Sequence, residues 1–256
     1  MKISATIITY NEERNIQRCL ESLQTVVDEI VVVDSFSTDQ TKQICHNYDV
    51  KFLEHPFDGH IQQKNFALEQ TKHDVVLSLD ADEALSDQLQ SSILEIKNQS
   101  EDEALAYSMN RLTNYCGKWI YYSGWYPDRK IRLWNRKSGK WGGVNPHDKV
   151  VLNDNTTVIR LKGNLLHYSY YTIEEHILQI NKFTSIAANA MIEKQKSVVL
   201  LKMLFSPCVR FFRDYFFKGG FRDGFFGFII CRNSAYSRFL RYGKLYQLLV
   251  NNKSNK

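Results

Sequence analysis

Four short apolar runs alternate with helix-like segments over the first hundred residues, and this alternation limits the possible folds more than any other feature. The runs cover residues 3–9, 28–34, 50–53 and 74–79. Continuous apolar runs are typical of strands that are covered on both faces. A strand–helix–strand order requires crossover connections between parallel strands. The sequence therefore predicts an α/β fold with a mostly parallel, Rossmann-like sheet.

Carboxylates stand at the ends of two of these runs. Asp34 closes the second run, and Asp80 and Asp82 close the fourth, with Ala81 between them. Open α/β sheets bind ligands at the carboxyl edge of their strands. An Asp-x-Asp pair at that edge can hold a divalent cation and, through it, a diphosphate, which indicates a sugar nucleotide. Asp34 alone is equally compatible with a turn or helix cap in DSFSTDQT.

The first strand is not followed by a glycine-rich phosphate loop. Neither G-x-G-x-x-G nor G-x-x-x-x-G-K-[ST] occurs after it. This absence argues against a dinucleotide oxidoreductase and against a P-loop NTPase. The phosphates of a bound nucleotide would therefore contact a metal ion and side chains.

The pattern changes after residue 100. Strands are predicted at 104–115, 129–135 and 157–168, and a helix capped by Thr172 is predicted to run to about residue 196. Beyond it, short amphipathic helices are predicted, broken at Pro207 and at Gly219-Gly220. We expect one domain over 1–196, with a nucleotide-sugar half (1–100) and an acceptor half (101–196), followed by a helical appendage over 197–256.

Charge divides the chain in the same way. Residues 196–256 contain twelve Lys/Arg and two acids, whereas residues 1–195 carry a net charge of −5. The basic segment also contains 14 aromatic residues. Such a mixture is typical of a surface that meets anionic lipid, or of helices that pack Phe inward and leave Arg/Lys solvated. The acidic first part argues against a nucleic-acid partner.

Cysteines and hydropathy suggest a compartment. Five cysteines lie far apart without a Cys-x-x-Cys pair, as expected for reduced thiols. The chain shows neither a signal-peptide pattern at its start nor 18 consecutive apolar residues. We expect a cytoplasmic protein that is peripheral on the inner face of the cytoplasmic membrane.

The ordered motifs TIITYNEE, VVVDSFSTDQT, GHIQQKNFAL and LSLDADE resemble those of family 2 glycosyltransferases with the GT-A fold. The resemblance implies a metal-dependent enzyme that uses Mg²⁺ or Mn²⁺. It places Asp80 near the ribose or the metal and makes Asp82 a metal ligand. The donor-binding residues that it implies are Thr9, Tyr10, Glu12, Asp34, Lys64, Asp80, Ala81 and Asp82. A solvated helix lysine is the alternative for Lys64.

A narrower likeness covers the second half. GWYPDRKIRLWNRKSGKWGGVNPHDK is similar to the acceptor segment of lipopolysaccharide core glucosyltransferases, which add β-1,4-glucose to an inner-core heptose. In those sequences a His-Glu pair supplies the catalytic base. Here the pair is His147-Asp148, so Asp148 is the expected base, one methylene shorter than Glu. Pairing with Lys149 or capping of a turn are the alternatives for Asp148.

Further assignments concern one histidine, whose role the resemblance to GT-A enzymes implies, and the residues around the acceptor segment. His167, at the end of a strand, matches a histidine that completes the metal site, although a lone histidine on an apolar strand is often structural. Trp125 and Tyr126 are candidates for stacking on an acceptor sugar, together with His147. Core packing is the alternative for the aromatic rings.

Together these features predict an inverting hexosyltransferase. It would move a hexose, glucose by the resemblance, from a UDP-sugar to a lipopolysaccharide inner-core heptose. The alternatives are another glycan or lipid-carrier acceptor, or a non-catalytic module that binds nucleotide or glycan. The donor hexose is not determined by the sequence, since one or two pocket contacts often decide it.

Overall fold

The computed structural model describes residues 1–98, 105–145, 147–192 and 199–254. The strands of the first half coincide with the apolar runs of the sequence. In chain order the strands are β1 Ile3–Thr9, β2 Glu29–Asp34, β3 Lys51–Glu54, β4 Val75–Asp80, β5 Glu83–Leu85, β6 Leu105–Tyr115, β7 Lys118–Ile120, β8 Asp128–Asn135, β9 Gly139–Val144, β10 His147–Leu152 and β11 Thr157–Tyr170. The helices are α1 Ile16–Leu23, α2 Thr41–Cys45, α3 His60–Glu69, α4 Asp87–Lys97, α5 Ile173–Ile192, α6 Val199–Phe212 and α7 Gly224–Ser254.

The described residues form one large mixed sheet and one hairpin. The order in the sheet is β3-β2-β1-β4-β8-β6-β11-β5, with β7 paired to β6, and β9 and β10 form the separate hairpin. The pairs β1–β2, β1–β4 and β2–β3 are parallel, whereas β8 joins β4 in antiparallel orientation. The predicted fold class is confirmed: a parallel α/β sheet forms the first half, and helices follow at the C-terminal end.

Both faces of the parallel strands are covered, as the continuous apolar runs predict. Along β2, Val32 packs into one buried cluster with Ile16 and Leu20 of α1, whereas Val31 and Val33 pack into another with α3. Successive side chains of a strand point to opposite faces. Apolar residues at consecutive positions of a strand therefore fill both layers.

The chain divides into two compact units. The first comprises residues 1–112 and 128–168, and the second comprises residues 113–127 and 169–256. The domain boundary expected near residue 196 falls within 193–198, outside the described residues, and stays a prediction. Within the described ranges, no helix combines the length and apolar character needed to cross a membrane.

The prediction of short helices broken at Pro207 is wrong. Pro207 lies inside α6, and α7 continues over 31 residues. A helix-interior proline costs about 3 kcal/mol because one backbone hydrogen bond is lost. Here α5, α6 and α7 bury Ala188, Val199 and Leu245 in one cluster, and this packing favours the continuous helix. The predicted break at Gly219 is confirmed, since that residue adopts a left-handed φ of 66°.

The predicted cap of α5 is also confirmed. The Thr172 hydroxyl accepts a hydrogen bond from the backbone N–H of Glu175 at 3.1 Å. The Glu175 carboxylate in turn accepts from the backbone N–H of Thr172 at 3.3 Å. This reciprocal pair is a capping box, which satisfies two N–H groups at the helix start.

Candidate active site

A buried lysine joins two of the carboxylates singled out from the sequence. Lys64 Nζ lies 2.8 Å from Asp80 Oδ1 and 2.7 Å from Asp148 Oδ2. The Lys64 side chain is 3% exposed, so the alternative of a solvated helix lysine is wrong. The strand end of β4, the helix α3 and the hairpin strand β10 therefore meet at one ammonium group. Asp148 pairs with Lys64, and not with the neighbouring Lys149.

An arginine holds the other side of Asp80. Arg132 of β8, 4% exposed, lies 3.1 Å from Asp80 Oδ2 and 2.7 Å from Glu83 Oε1. Burial on its own raises the pKa of Asp80, but the charges of Lys64 and Arg132 outweigh it and hold that pKa well below its usual range. Both oxygens of Asp80 are thus engaged by cations, and the carboxylate is ionised.

Trp141 closes this network on its apolar side. Lys64 Nζ lies 4.3 Å from the Trp141 ring centroid, and the Arg132 guanidinium carbon lies 5.3 Å from it. The Asn65 side chain accepts a hydrogen bond from the backbone N–H of Trp141 and donates one to the backbone carbonyl of Trp141, each at 3.0 Å. Cation–π contact and a paired amide therefore fix the hairpin against α3.

The tip of the hairpin is attached to the same helix. The Asn145 side chain accepts a hydrogen bond from the Ile61 N–H at 3.1 Å, and it donates one to the Gln62 side chain at 3.0 Å. Its first bond satisfies a free N–H in the first turn of α3. A Cβ on Gly59, whose φ is 127°, would lie 2.4 Å from the Asn145 side chain. Gly59 therefore allows the close approach that positions Asp148.

Strand pairing brings the remaining acid and the histidine together. The short strand β5 pairs with β11, so that His167 lies opposite Glu83. Consequently His167 Nε2 lies 3.1 Å from Asp82 Oδ2. The Asp82 carbonyl also accepts a hydrogen bond from the Tyr168 N–H at 2.9 Å. Asp82 and His167 thus form a second polar pair next to the Asp80 network.

This pair fits a divalent cation. Two cis ligands of an octahedral Mg²⁺ lie about 3 Å apart, close to the observed Asp82–His167 separation. Among the described residues, no cluster of three or more His, Cys, Asp or Glu side chains has the arrangement of a metal cage. Mg²⁺ is commonly bound by one or two protein ligands together with substrate phosphates. The two side chains therefore suit a cation that arrives with a diphosphate.

The loops after β1 and β2 interlock beside this pair. The Asn11 N–H donates to Ser37 Oγ, the Thr38 N–H donates to Asn11 Oδ1, and the Glu12 N–H donates to Thr41 Oγ1, each at 2.8 Å.

Burial raises the pKa of Glu12 to about 7. A hydrogen bond from Asn15 opposes this shift, and the negative charge of Asp82 adds to it.

The predicted base-binding residues occupy the same edge with different exposure. Thr9 lies opposite Asp34 in the β1–β2 register, and both are buried, whereas Tyr10 is 58% exposed. Asp34 accepts hydrogen bonds from the backbone N–H and the hydroxyl of Ser37, so its turn role is observed. Ala81, between the two aspartates, is buried.

The predicted acceptor residues are separated by the division into units. Trp125 and Tyr126 belong to the second unit, and His147 belongs to the first. Trp125 packs edge-on against Tyr115 at 5.7 Å and against His176 at 5.7 Å. This face of Trp125 is therefore packed in the core, which was the alternative to acceptor binding. His147 pairs with Val144 in the hairpin.

Sequence reasoning missed Arg132 and Phe36. Arg132 lies between Ile131 and Leu133 in a strand, and a cation flanked by apolar residues in such a run was the available signal. Phe36 follows the end of β2, is 53% exposed and has a φ of 60°. Non-glycine residues with a positive φ cluster at functional sites, but no pattern in the sequence predicts this conformation at Phe36.

Comparison with known proteins finds a matching family model and similar chains. The model of the family described as glycosyl transferase family 2 matches residues 4–197. A Rickettsia typhi protein described as an uncharacterized glycosyltransferase is 33% identical over 99% of this chain and 89% of its own length. The lipopolysaccharide core biosynthesis glycosyltransferase LpsC of Rhizobium meliloti is 33% identical over 96% of this chain and 93% of its own.

A solved structure gives a weaker likeness. Residues 1–349 of S. aureus TarS match with a TM-score of 0.46 at 15% identity, covering all of this chain and 92% of that one.

Proposed function

Because the chain belongs to glycosyltransferase family 2 and uses a nucleotide sugar, we propose a specific transfer reaction for it. In this reaction a hexose passes from a UDP-sugar to the inner core of lipopolysaccharide. The likeness to a lipopolysaccharide core enzyme over nearly the whole chain supports this acceptor. Glucose and an inner-core heptose are the specific donor sugar and acceptor that we propose. Because that acceptor is lipid-linked, we assign the reaction to the inner face of the cytoplasmic membrane.

The observation that carries the proposal is the pairing of Asp148 with Lys64. Asp148 Oδ2 contacts the ammonium group, while Oδ1 receives no hydrogen bond from the described residues. One oxygen is therefore held, and the other is available to an acceptor hydroxyl. In an inverting transfer a single carboxylate suffices, because no covalent glycosyl-enzyme forms. Asp148 takes the hydroxyl proton while the acceptor oxygen attacks the anomeric carbon from the face opposite UDP, and the bond from that carbon to UDP breaks.

The other residues of the site bind the donor and balance its charge. Lys64 and Arg132 keep Asp80 ionised at the strand end, where the resemblance assigns it to ribose or metal. Asp82 and His167 are the residues that would hold Mg²⁺ or Mn²⁺. When bound, such a cation offsets the charge that grows on the leaving diphosphate. Thr9, Tyr10, Glu12 and Asp34 would bind the uridine.

Substitution of Asp148 tests the assignment of the base. Asp148→Asn keeps the shape and the hydrogen bond to Lys64 but cannot accept a proton. We expect transfer to truncated lipopolysaccharide, read by mass shift and linkage analysis, to fall roughly 10²–10⁴-fold. UDP affinity, measured by calorimetry, is expected to stay unchanged.

Asp154→Asn provides the matched control, because Asp154 is exposed on the turn after β10. Near-normal transfer by Asp148→Asn would place the base elsewhere. A wild-type enzyme that modifies other glycans and leaves the lipopolysaccharide core untouched would overturn the proposed acceptor.

A further inference from the structure

The second unit contains a cleft whose polar lining is almost entirely cationic. It has a volume of about 420 Å³ and lies along α6. Lys202, Arg210, Arg213 and Arg238 line it, together with the hydroxyl of Ser206. None of these residues belongs to the candidate active site, which lies in the first unit.

The positive charge of this cleft is only partly neutralised. Asp214 pairs with Arg210 at 2.5 Å and with Arg213 at 2.8 Å. Within the described part of the chain, Lys202 and Arg238 make no ion pair with a carboxylate, and the buried Ser206 Oγ has no hydrogen-bond partner. Burial, followed by the neighbouring cations Arg213 and Arg238, lowers the pKa of Arg210, while Asp214 opposes this shift. The cleft therefore has both the charge and the free donors to bind an anion.

An apolar row runs beside the cationic row on the same helix. Leu201, Phe205 and Val209 also line the cleft, at successive i, i+4 positions, and they are 57%, 65% and 65% exposed. Lys202 and Arg210 belong to the neighbouring i, i+4 row that includes Ser206. Residues four apart lie on one face of a helix, so an apolar strip borders the cations along α6. A small hydrophilic anion does not require such a strip, whereas the headgroup and upper chain of a lipid match both rows.

We propose that this cleft binds the phosphate headgroup of an anionic phospholipid, with α6 lying in the membrane interface. Arginine side chains favour phosphate because their planar donors match its oxygens. Exposed Leu and Phe side chains bury area at the boundary of headgroups and acyl chains. The inference rests on the membrane location given under the proposed function, but it does not depend on glycosyl transfer.

Vesicle binding by the full chain tests this site. At low salt, we expect co-sedimentation with phosphatidylcholine vesicles that contain phosphatidylglycerol, and little with phosphatidylcholine alone. The double variant Lys202→Gln/Arg238→Gln leaves the contacts of Asp214 intact. Because a basic side chain near an anionic surface contributes about 1 kcal/mol, the double variant should bind roughly 30-fold more weakly.

A second double variant separates a cleft from a general charge effect. Lys182→Gln/Arg232→Gln removes two exposed cations from α5 and α7 of the same unit. We expect it to bind the anionic vesicles within threefold of wild type. Phe205→Ser should weaken binding even at high salt, since it removes apolar area. Thermal unfolding of each variant identifies any that fails to fold.

Three results would overturn the lipid assignment. In the first, the two double variants lose equal affinity; in the second, folded Lys202→Gln/Arg238→Gln binds like wild type. In the third, soluble glycerol phosphate releases the protein from the vesicles as effectively as added phosphatidylglycerol does, which indicates a site for a free phosphate. Transfer to a soluble truncated acceptor is measured in parallel. If the wild-type protein binds the vesicles but transfers no sugar to this acceptor, the proposed function is contradicted and the lipid site is not.

Discussion

The two compact units pair their charged side chains differently. In the first unit, Lys64 and Arg132 each face two carboxylates, so cations and acids nearly balance. In the second unit, three cations, Arg210, Arg213 and Lys218, share the single carboxylate of Asp214. A balanced network holds its members in fixed positions, which suits a group that must point at a reacting atom. An excess of one sign attracts a ligand of the other, which suits a binding surface.

The largest effect that we predict comes from removing the cation at the centre of the balanced network. Lys64→Met leaves Asp80 and Asp148 without their shared partner, and breaking a buried ion pair costs about 4 kcal/mol. Urea unfolding measures the loss, and transfer should fall with it because Asp148 is no longer held.

The surface lysine Lys42 provides the control for that measurement. Lys42 pairs with Glu54 at 3.0 Å, and both side chains are well exposed. Lys42→Met should change the unfolding free energy by about 0–1 kcal/mol. Equal effects at the two positions would show that the Lys64 network does not bind its members more tightly than a surface pair, and the contrast between the units would lose its physical basis.

A smaller effect on stability is expected in the second unit, from a buried histidine. His176 is 5% exposed, and its Nδ1 lies 3.0 Å from the Tyr115 hydroxyl. Burial lowers the pKa of His176 from 6.5 to about 4. Between these values the unfolded chain binds a proton that the folded unit does not, so the contribution of His176 to stability is lost as pH falls. The loss amounts to about 3 kcal/mol from pH 7 to pH 4.

His176→Gln isolates this contribution. The difference in unfolding free energy between wild type and variant, followed from pH 7 to pH 4, should shrink as the pH falls. A difference that stays constant over this range would mean that His176 is not held neutral in the folded unit.

The sequence predicted the parts of the fold that local pattern controls. The runs that form β1, β2 and β4 are rich in apolar residues, and Asp34, Asp80 and Asp82 lie at or just after the ends of β2 and β4. A strand end is a local property, so the carboxylate edge of the sheet followed from it. The family resemblance singled out Lys64 and Asp148, although not their contact.

The contacts that define the site are long-range and were not predictable in this way. Lys64 and Asp148 are 84 residues apart, and Arg132 and Asp80 are 52 residues apart. Such pairs depend on which strand lies next to β4 and on how the hairpin docks on α3. The error at Pro207 has a similar origin, because local propensity predicted a break and packing between helices decided against it.

A crystal structure of the enzyme with UDP and Mn²⁺ would show whether the metal and the catalytic carboxylate lie where we propose. We expect a manganese anomalous peak at ligand distance from Asp82 and His167, and the uracil beside Thr9 and Asp34. We also expect Asp148 to stay paired with Lys64, with Oδ1 directed into the pocket beside the nucleotide, where an acceptor hydroxyl would bind. UDP bound far from Asp82, or Asp148 turned away from the nucleotide, would contradict this proposal.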